Sequence, residues 1–474
     1  MKTRLAALIP LFLALFVPGS CTFAQPSPIA GDWQGALSIQ GFQLRIVFHI
    51  KPAVFGGFQA TMDSPDQGAA GIGIDSVLYA DGQLRIVMIR LQGMYVGTME
   101  PGDSTLRGTW TQRGVSFPLN LRRSITAIVV NRPQEPKPPY PYKEEEVNFE
   151  NSEAGVTLAG TLTLPRTGGP FPAAVLITGS GPQDRDETIF NHKPFKVIAD
   201  YLTRQGIAVL RYDDRGTAKS TGNFATATSL DFASDAKAAI RFLESRPEID
   251  PKHVGLIGHS EGGLIAPMVA STFSDVAFIV LLAGPSLPGT EIIIQQDSLI
   301  AVANGAKPET LREERMKQER LFGVITSQKD TSVMRKKLRA DMLSMASQTN
   351  DTTSQADKET AIERTITQLT SPWFRFFLSY DPVPALEKVK CPVLALNGEK
   401  DLQVPPDADL AGIAQAVRKG GNRNVTVKKL KDLNHLFQHA TTGSPMEYPK
   451  IEETFAPEAL SVMADWIRQT VGMK

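Results

Sequence analysis

The sequence predicts an α/β fold preceded by a small all-β domain. The larger part is a mainly parallel sheet with helices on both faces and a helical cap. Three observations carry this. Short runs of alternating apolar and polar residues, separated by turn residues, fill positions 28–124. A proline-dense stretch from Arg132 to Pro141 then breaks the pattern. From Glu144 onward, strand-like apolar runs alternate with amphipathic helices, the rhythm of a parallel sheet covered on both faces.

The chain has 474 residues, enough for two or three domains. Fifty basic residues balance fifty acidic ones, and 42% of the chain is hydrophobic. That describes an ordinary globular protein, with no overall charge to draw it to nucleic acid or to an anionic membrane.

The first 24 residues read as a signal peptide. Met1-Lys2-Thr3-Arg4 is basic, Leu5 to Val17 is apolar but too short to span a bilayer, and Thr22-Phe23-Ala24 offers small residues at both positions a signal peptidase reads. Cleavage before Gln25 is expected, with the mature chain exported to the periplasm or beyond. The rival is lipoprotein processing and a lipid anchor at Cys21, which Pro18 fits poorly. No other segment is apolar enough to cross a membrane. The two cysteines are Cys21 and Cys391, so cleavage leaves one and an internal disulfide is excluded.

Residues 28–124 give about eight strands, among them Asp32 to Leu37, Gln43 to Phe48, Gln83 to Met88 and Leu106 to Trp110. Gln-Leu-Arg-Ile-Val occurs twice, at Gln43 and at Gln83. A small antiparallel barrel or sandwich is expected, serving structure or substrate gating. Residues 125–142 form the linker, extended and semi-rigid because proline fixes φ and removes backbone donors.

The catalytic domain is expected over residues 143–474. Its strands are Val156 to Leu164, Ala173 to Ile177, Ile207 to Tyr212, His253 to Ile257, Val276 to Leu282, Val393 to Asn397 and Val425 to Leu430. Helices are expected over Phe195 to Gln205, Phe232 to Ser245 and Pro457 to Val471. Between about 286 and 380 the rhythm stops. Charged helical stretches there, split by a polar break from Gln348 to Thr353, read as cap helices with solvated faces. In Pro372-Trp373-Phe374-Arg375-Phe376-Phe377, part of the aromatic cluster is expected in the core and part on an acyl-binding wall.

The strand His253 to Ile257 runs into Gly258-His259-Ser260-Glu261-Gly262-Gly263 and then a small apolar helix. Strand, Gly-x-Ser-x-Gly, helix is the setting in which this motif makes a nucleophile elbow. The glycines admit a turn tight enough to lift the Ser260 hydroxyl clear of the sheet, and the Glu261 N–H is left at a helix N-terminus beside a developing oxyanion. A serine needs a base, and the base an acid to orient it. Of six histidines, only His435 and His439 follow both the serine and a carboxylate past a strand end. His435 is the first choice, with His439 the rival. For the acid, Asp401 is preferred to Glu399 in Gly398-Glu399-Lys400-Asp401. A second oxyanion donor is expected from the loop after Ile177, as the Ser180 N–H or, failing that, the Gly181 N–H. Tyr212-Asp213-Asp214-Arg215-Gly216 reads as a buried structural turn. No residue group has metal-ligand spacing, and Gly179-Ser180-Gly181 lacks the rest of a dinucleotide fingerprint, so no cofactor is expected.

Gly179 to Glu187 (GSGPQDRDE), Leu210 to Gly216 (LRYDDRG), GHSEGG at the elbow, Leu396 to Pro406 (LNGEKDLQVPP) and Asn434 to Gln438 (NHLFQ) together resemble the EstD-like esterases. These are exported α/β-hydrolases related to the serine aminopeptidase group, often with a β-rich N-terminal domain. The resemblance implies Ser260, Asp401 and His435 as the triad and short-chain carboxylic esters as small-molecule substrates. One departure is Ala218, where relatives usually have glycine. A serine aminopeptidase or dipeptidyl peptidase is the alternative, and Glu261, or less directly Glu399, would then be the carboxylate that reads a free amino terminus.

Overall fold

The structure is a computed structural model that describes residues 28–473, apart from 40–41, 54–55, 68, 90, 103, 113, 125–130 and 348–354. The expected signal peptide with Cys21, the start of the linker and the polar break at Gln348 to Thr353 lie outside the described residues. Thr126–Lys474 falls in one compact unit, and most of the preceding residues form the other.

The N-terminal unit is built on a ten-stranded sheet. Its strands alternate as their sequences dictate: in Gln83–Met88, Gln83 and Arg85 are exposed while Leu84, Ile86 and Met88 are buried. Phe48 and Tyr95 belong to strands separated by three others, yet their rings lie 5.8 Å apart. Adjacent strands are about 4.8 Å apart, so a flat sheet would hold these rings far from each other. The sheet therefore curls around Trp33, Phe48, Tyr95 and Trp110, all buried. Ten strands stand where about eight were expected. Pieces such as Val115–Pro118 and Leu121–Ser124 are only four residues long and carry too little alternation to read.

The second unit holds an eight-stranded sheet whose strands we number β1 (Lys143–Asn151), β2 (Val156–Leu164), β3 (Phe171–Ile177), β4 (Ala208–Tyr212), β5 (Ile249–His259), β6 (Ile279–Leu282), β7 (Val393–Gly398) and β8 (Val425–Leu430). Their order is β1-β2-β4-β3-β5-β6-β7-β8. The sheet is mixed: β1 pairs with β2 and β2 with β4 antiparallel, and from β4 to β8 every pairing is parallel. Alternate residues of β3 face opposite ways. Ala173, Val175 and Ile177 pack with helices α2 (Ser229–Glu244), α3 (Glu261–Ala270) and α10 (Pro406–Lys419). Ala174 and Leu176 pack with α1 (Pro194–Arg204) and α11 (Pro457–Thr470). Helices thus cover both faces.

Between β6 and β7 come α4 (Gly289–Ala303), α5 (Pro308–Ser327), α6 (Thr331–Ser347), α7 (Gln355–Leu369), α8 (Pro372–Ser379) and the short α9 (Val383–Leu386). Helices α4 to α8 share a small core of their own, with Phe322, Ile325, Met334, Leu338 and Ile366 buried. Their charged residues lie largely outside that core, many in i,i+4 or interhelical pairs such as Arg315–Glu319 at 2.8 Å.

The proline-rich stretch is strapped down rather than free. Gln134 Oε1 accepts the N–H groups of Thr454 and Phe455 at 2.5 and 2.9 Å, and its Nε2 donates to the Phe455 carbonyl at 2.7 Å. Arg132 donates to the carbonyls of Ile451 (2.7 Å) and Phe190 (2.8 Å). Few backbone donors remain in such a sequence, and side chains do the anchoring.

Candidate active site

The elbow follows from steric necessity. Ser260 ends β5 and starts α3 with φ 52° and ψ −114°, a region that L-residues rarely occupy. Two bonds secure the turn: the Ser260 N–H to the Leu282 carbonyl at 2.8 Å, and the Gly263 N–H to the Ser260 carbonyl at 2.9 Å. A Cβ at Gly258 would collide with the Gly262 carbonyl, and one at Gly262 with that of Ile177. Only glycine fits at either place.

Asp401 sits on the loop after β7, 2% exposed. Its Oδ1 accepts the N–H groups of Gln403 and Val404 at 2.8 and 2.9 Å, which aims Oδ2 at His435 Nδ1, 2.8 Å away. His435 follows β8 on a loop that Asn434 folds back, its Oδ1 accepting from the N–H groups of Leu436 (3.0 Å) and Gln438 (2.9 Å). Behind the loop, burial pushes the His192 imidazole down to about 4, so it stays neutral. It lies 3.0 Å from Gln438 Nε2 and from the Tyr448 carbonyl. The rivals stand elsewhere. His439 is half exposed and pairs with Glu453 and Glu458 at 2.9 and 3.0 Å, while Glu399 accepts from the Asp432 N–H at 3.2 Å.

Ser180, Ser260, Glu261 and His435 line one cleft of about 210 Å3, together with Gly179, His259 and Glu187. A Cβ on Gly179 would stand 3.3 Å from the Ser260 Cβ, so the loop after β3 lies against Ser260; Gly181 is not among the residues that line the cleft. The remaining wall is apolar with a few amides: Ile189, Ile292, Ile293, Phe377, Val404, Leu436, Gln183, Gln296 and Gln403. Among the described residues, no lysine or arginine lines the cleft.

A family model for X-Pro dipeptidyl-peptidases (S15 family) matches residues 154–418, more than half of the chain. The chain belongs to this family. The matched region carries the S15 elbow and Asp401 but ends before His435. Among individual relatives, the chain is 28% identical over 305 residues to the esterase EstD of Thermotoga maritima, and the likeness spans 64% of each protein's length. It is 16% identical to the α/β-hydrolase GrgF of a Penicillium species, covering 70% of this chain and 99% of that one with a TM-score of 0.44. With the esterase Pf2001 of Pyrococcus furiosus the figures are 15%, 69%, 93% and 0.40.

Several features of the S15 site were not legible beforehand. Only the backbone of Glu261 was expected to matter to an esterase. Its carboxylate is in fact buried, accepting from Ser229 Oγ at 2.6 Å and Trp373 Nε1 at 2.8 Å, and from the Ser180 hydroxyl. Burial raises its pKa, and those three hydrogen bonds oppose the rise. Tyr212 to Gly216 is a turn of ion pairs: Asp213 with Arg185 at 2.8 Å, Arg215 with Asp235 at 2.7 Å, and Asp214 accepting from Thr178 Oγ1 at 2.8 Å. His259 and Glu187, to which the sequence assigned no role, are buried together beside Ser260. The signals for them were the Glu187 end of GSGPQDRDE and the His259 of GHSEGG. Among the described residues no His, Cys, Asp and Glu group could hold a metal ion, and no helix is long and apolar enough to cross a membrane.

Proposed function

We propose that the protein is an exported serine carboxylesterase that hydrolyses short-chain carboxylic esters through an acyl-enzyme. The observation that carries this reading is the 2.8 Å bond from Asp401 to His435 on a loop that shares one cleft with the strained Ser260 elbow. In this mechanism His435 Nε2 takes the Ser260 proton as Oγ attacks the ester carbonyl. The N–H groups of Ser180 and Glu261 receive the oxyanion. Asp401 holds the imidazole in the tautomer that presents Nε2 and stabilises the imidazolium. The proton then passes to the departing alcohol. Water, activated by His435 in turn, attacks the acyl group and frees Ser260. Side chains, two backbone N–H groups and water carry every step. An apolar wall without lysine or arginine suits an uncharged acyl chain.

The S15 match favours a second reading, cleavage of amides behind a free amino terminus. Against it, the Glu261 carboxylate is already engaged by Ser229, Trp373 and Ser180, which leaves it poorly placed to receive an ammonium group. A panel of acetyl, butyryl and octanoyl esters beside aminoacyl and X-Pro anilides tests the choice. Butyryl ester turnover should exceed that of every anilide. Glu261→Gln should alter it little. Faster X-Pro anilide cleavage, selectively lost in Glu261→Gln, would replace the esterase by the peptidase.

A further inference from the structure

His259 immediately precedes the nucleophile, and both of its ring nitrogens face acceptors. Nδ1 lies 2.9 Å from Glu187 Oε1, and Nε2 lies 3.0 Å from the backbone carbonyl of His435. Against an ionised carboxylate and a carbonyl, a neutral imidazole with one N–H and one lone pair could satisfy only one of them. Glu187 Oε1 also accepts the Gly179 N–H at 2.7 Å. One carboxylate oxygen thus holds the loop that presents Ser180, and through His259 it holds the backbone of the residue that supplies the base. Both side chains are buried, Glu187 4% and His259 6% exposed. Glu187 keeps φ at 52°, a conformation maintained only where surroundings over-determine it.

We propose that Glu187 and His259 form a carboxylate–imidazolium pair that positions the oxyanion loop against the His435 loop. The inference rests on the serine hydrolase reading above only for its consequence on rate. The charged groups that face His259 are Glu187 on the loop after β3, Asp401 on the loop after β7 and, as a titratable neighbour, His435, whose ring centre is 4.9 Å away. Burial works against the His259 charge, and Glu187, the His435 carbonyl and Asp401 work for it, with a net upward shift. A neutral glutamine beside a neutral imidazole cannot reproduce the arrangement. With glutamine at 187, an amide oxygen turned to Gly179 faces the His259 lone pair, and an amide NH2 turned to His259 faces the Gly179 N–H. One of the three bonds must break, so the two loops lose their fixed separation. Both residues are positioning residues, because neither touches the reacting atoms.

Two measurements on the full protein test this. The first is the 15N spectrum of the imidazole rings from pH 5.5 to 9, with His259→Gln identifying the His259 signals among six histidines. Both His259 ring nitrogens should be protonated at pH 7. A neutral His259 at pH 7 would overturn the proposal, whatever the enzyme's substrate. The second is the rate of inactivation by a fluorophosphonate, which needs Ser260, its base and the oxyanion hole but no particular substrate. Glu187→Gln should slow it about ten- to a hundredfold, the usual effect of removing a group that orients a catalytic one. KM for the butyryl ester should stay within about threefold, since the apolar part of the cleft wall is untouched. An unchanged inactivation rate in a folded Glu187→Gln protein would leave the pair merely structural and end the proposal. If the wild-type protein did not react at all, the hydrolase mechanism would fail, and the imidazole spectra would still decide the pair.

Discussion

Ala218 has φ at 45°, a left-handed conformation that costs an L-residue with a Cβ about 1–2 kcal/mol. Glycine removes that cost but loses about 0.4–1 kcal/mol to the greater freedom of the unfolded chain. Ala218→Gly should therefore stabilise the protein by about 0.5–1 kcal/mol in denaturant melts, with activity unchanged. Asp409 makes a sharper case. Its Oδ1 accepts the N–H groups of Ser286 (2.5 Å) and Leu287 (3.2 Å), while its buried Oδ2 has no hydrogen-bond partner among the described residues. Burial, only partly offset by those hydrogen bonds, raises its pKa to about 6 from 3.8. The folded state then holds a proton that the unfolded state releases, so this group's contribution to stability falls as pH rises from about 4 to 6 and stays low above. Asp409→Asn should raise stability at pH 8 by about 2–3 kcal/mol and change it little at pH 4. An equal effect at both pH values would refute that account. At this scale the sequence exposes Ser260, Asp401 and His435, because chain order and strand ends constrain them. It hides His259 and Glu187, 72 residues apart, because no local pattern says that two buried groups meet.

Helix α8 shows what an element can and cannot reveal. Ser371 caps it, accepting the Phe374 N–H at 3.2 Å, and Pro372 occupies its first turn, a start signal legible in the sequence. The aromatic cluster it carries divides by helix face. Trp373 reaches Glu261, Phe374 packs 6.1 Å from Phe322 in the cap core, and Phe377 lines the cleft. Sequence gives the cluster but not the division, which depends on where α4 and α3 stand. Phe377→Ala should widen the cleft and raise octanoyl over butyryl ester turnover by about tenfold, the scale on which a hydrophobic pocket discriminates methylenes. A constant ratio across the ester panel would remove Phe377 from the acyl wall. The charged run after Pro308 shows the opposite difficulty. It reads as continuous helix, yet Asp330 Oδ1 accepts from the N–H groups of Ser332 and Val333 at 2.8 and 3.1 Å and starts α6 anew. Helix-favouring charge on both sides masks that cap.

For the whole molecule, the strapped segment before β1 redefines where the catalytic unit can begin. A chain starting at Asn131 retains the Gln134 and Arg132 anchors; one starting at Tyr142 loses them. The three Gln134 bonds are worth about 1 kcal/mol each, so the shorter chain should be less stable by about 3 kcal/mol or more. Urea melts of the two chains check this, and equal midpoints would contradict it. The mixed sheet was only half legible. Strands β2 to β8 announce themselves by apolar runs, but Lys143–Asn151 is largely charged on one side and exposed there, and it pairs antiparallel with β2. Whether a neighbouring pair runs parallel or antiparallel is settled by packing that no single strand records.

The central claim is that Ser260 carries the acyl group between two half-reactions. Wild-type protein mixed with a butyryl ester and quenched in acid within the first turnovers, then weighed intact and mapped by peptide, tests it most directly. The account predicts one added butyryl group on the peptide containing Ser260. It also predicts accumulation of that adduct in a variant slowed in deacylation, and none in Ser260→Ala, whose turnover should fall by about four to six orders of magnitude. Undiminished ester hydrolysis by Ser260→Ala, or a butyryl group found on another residue, would contradict it.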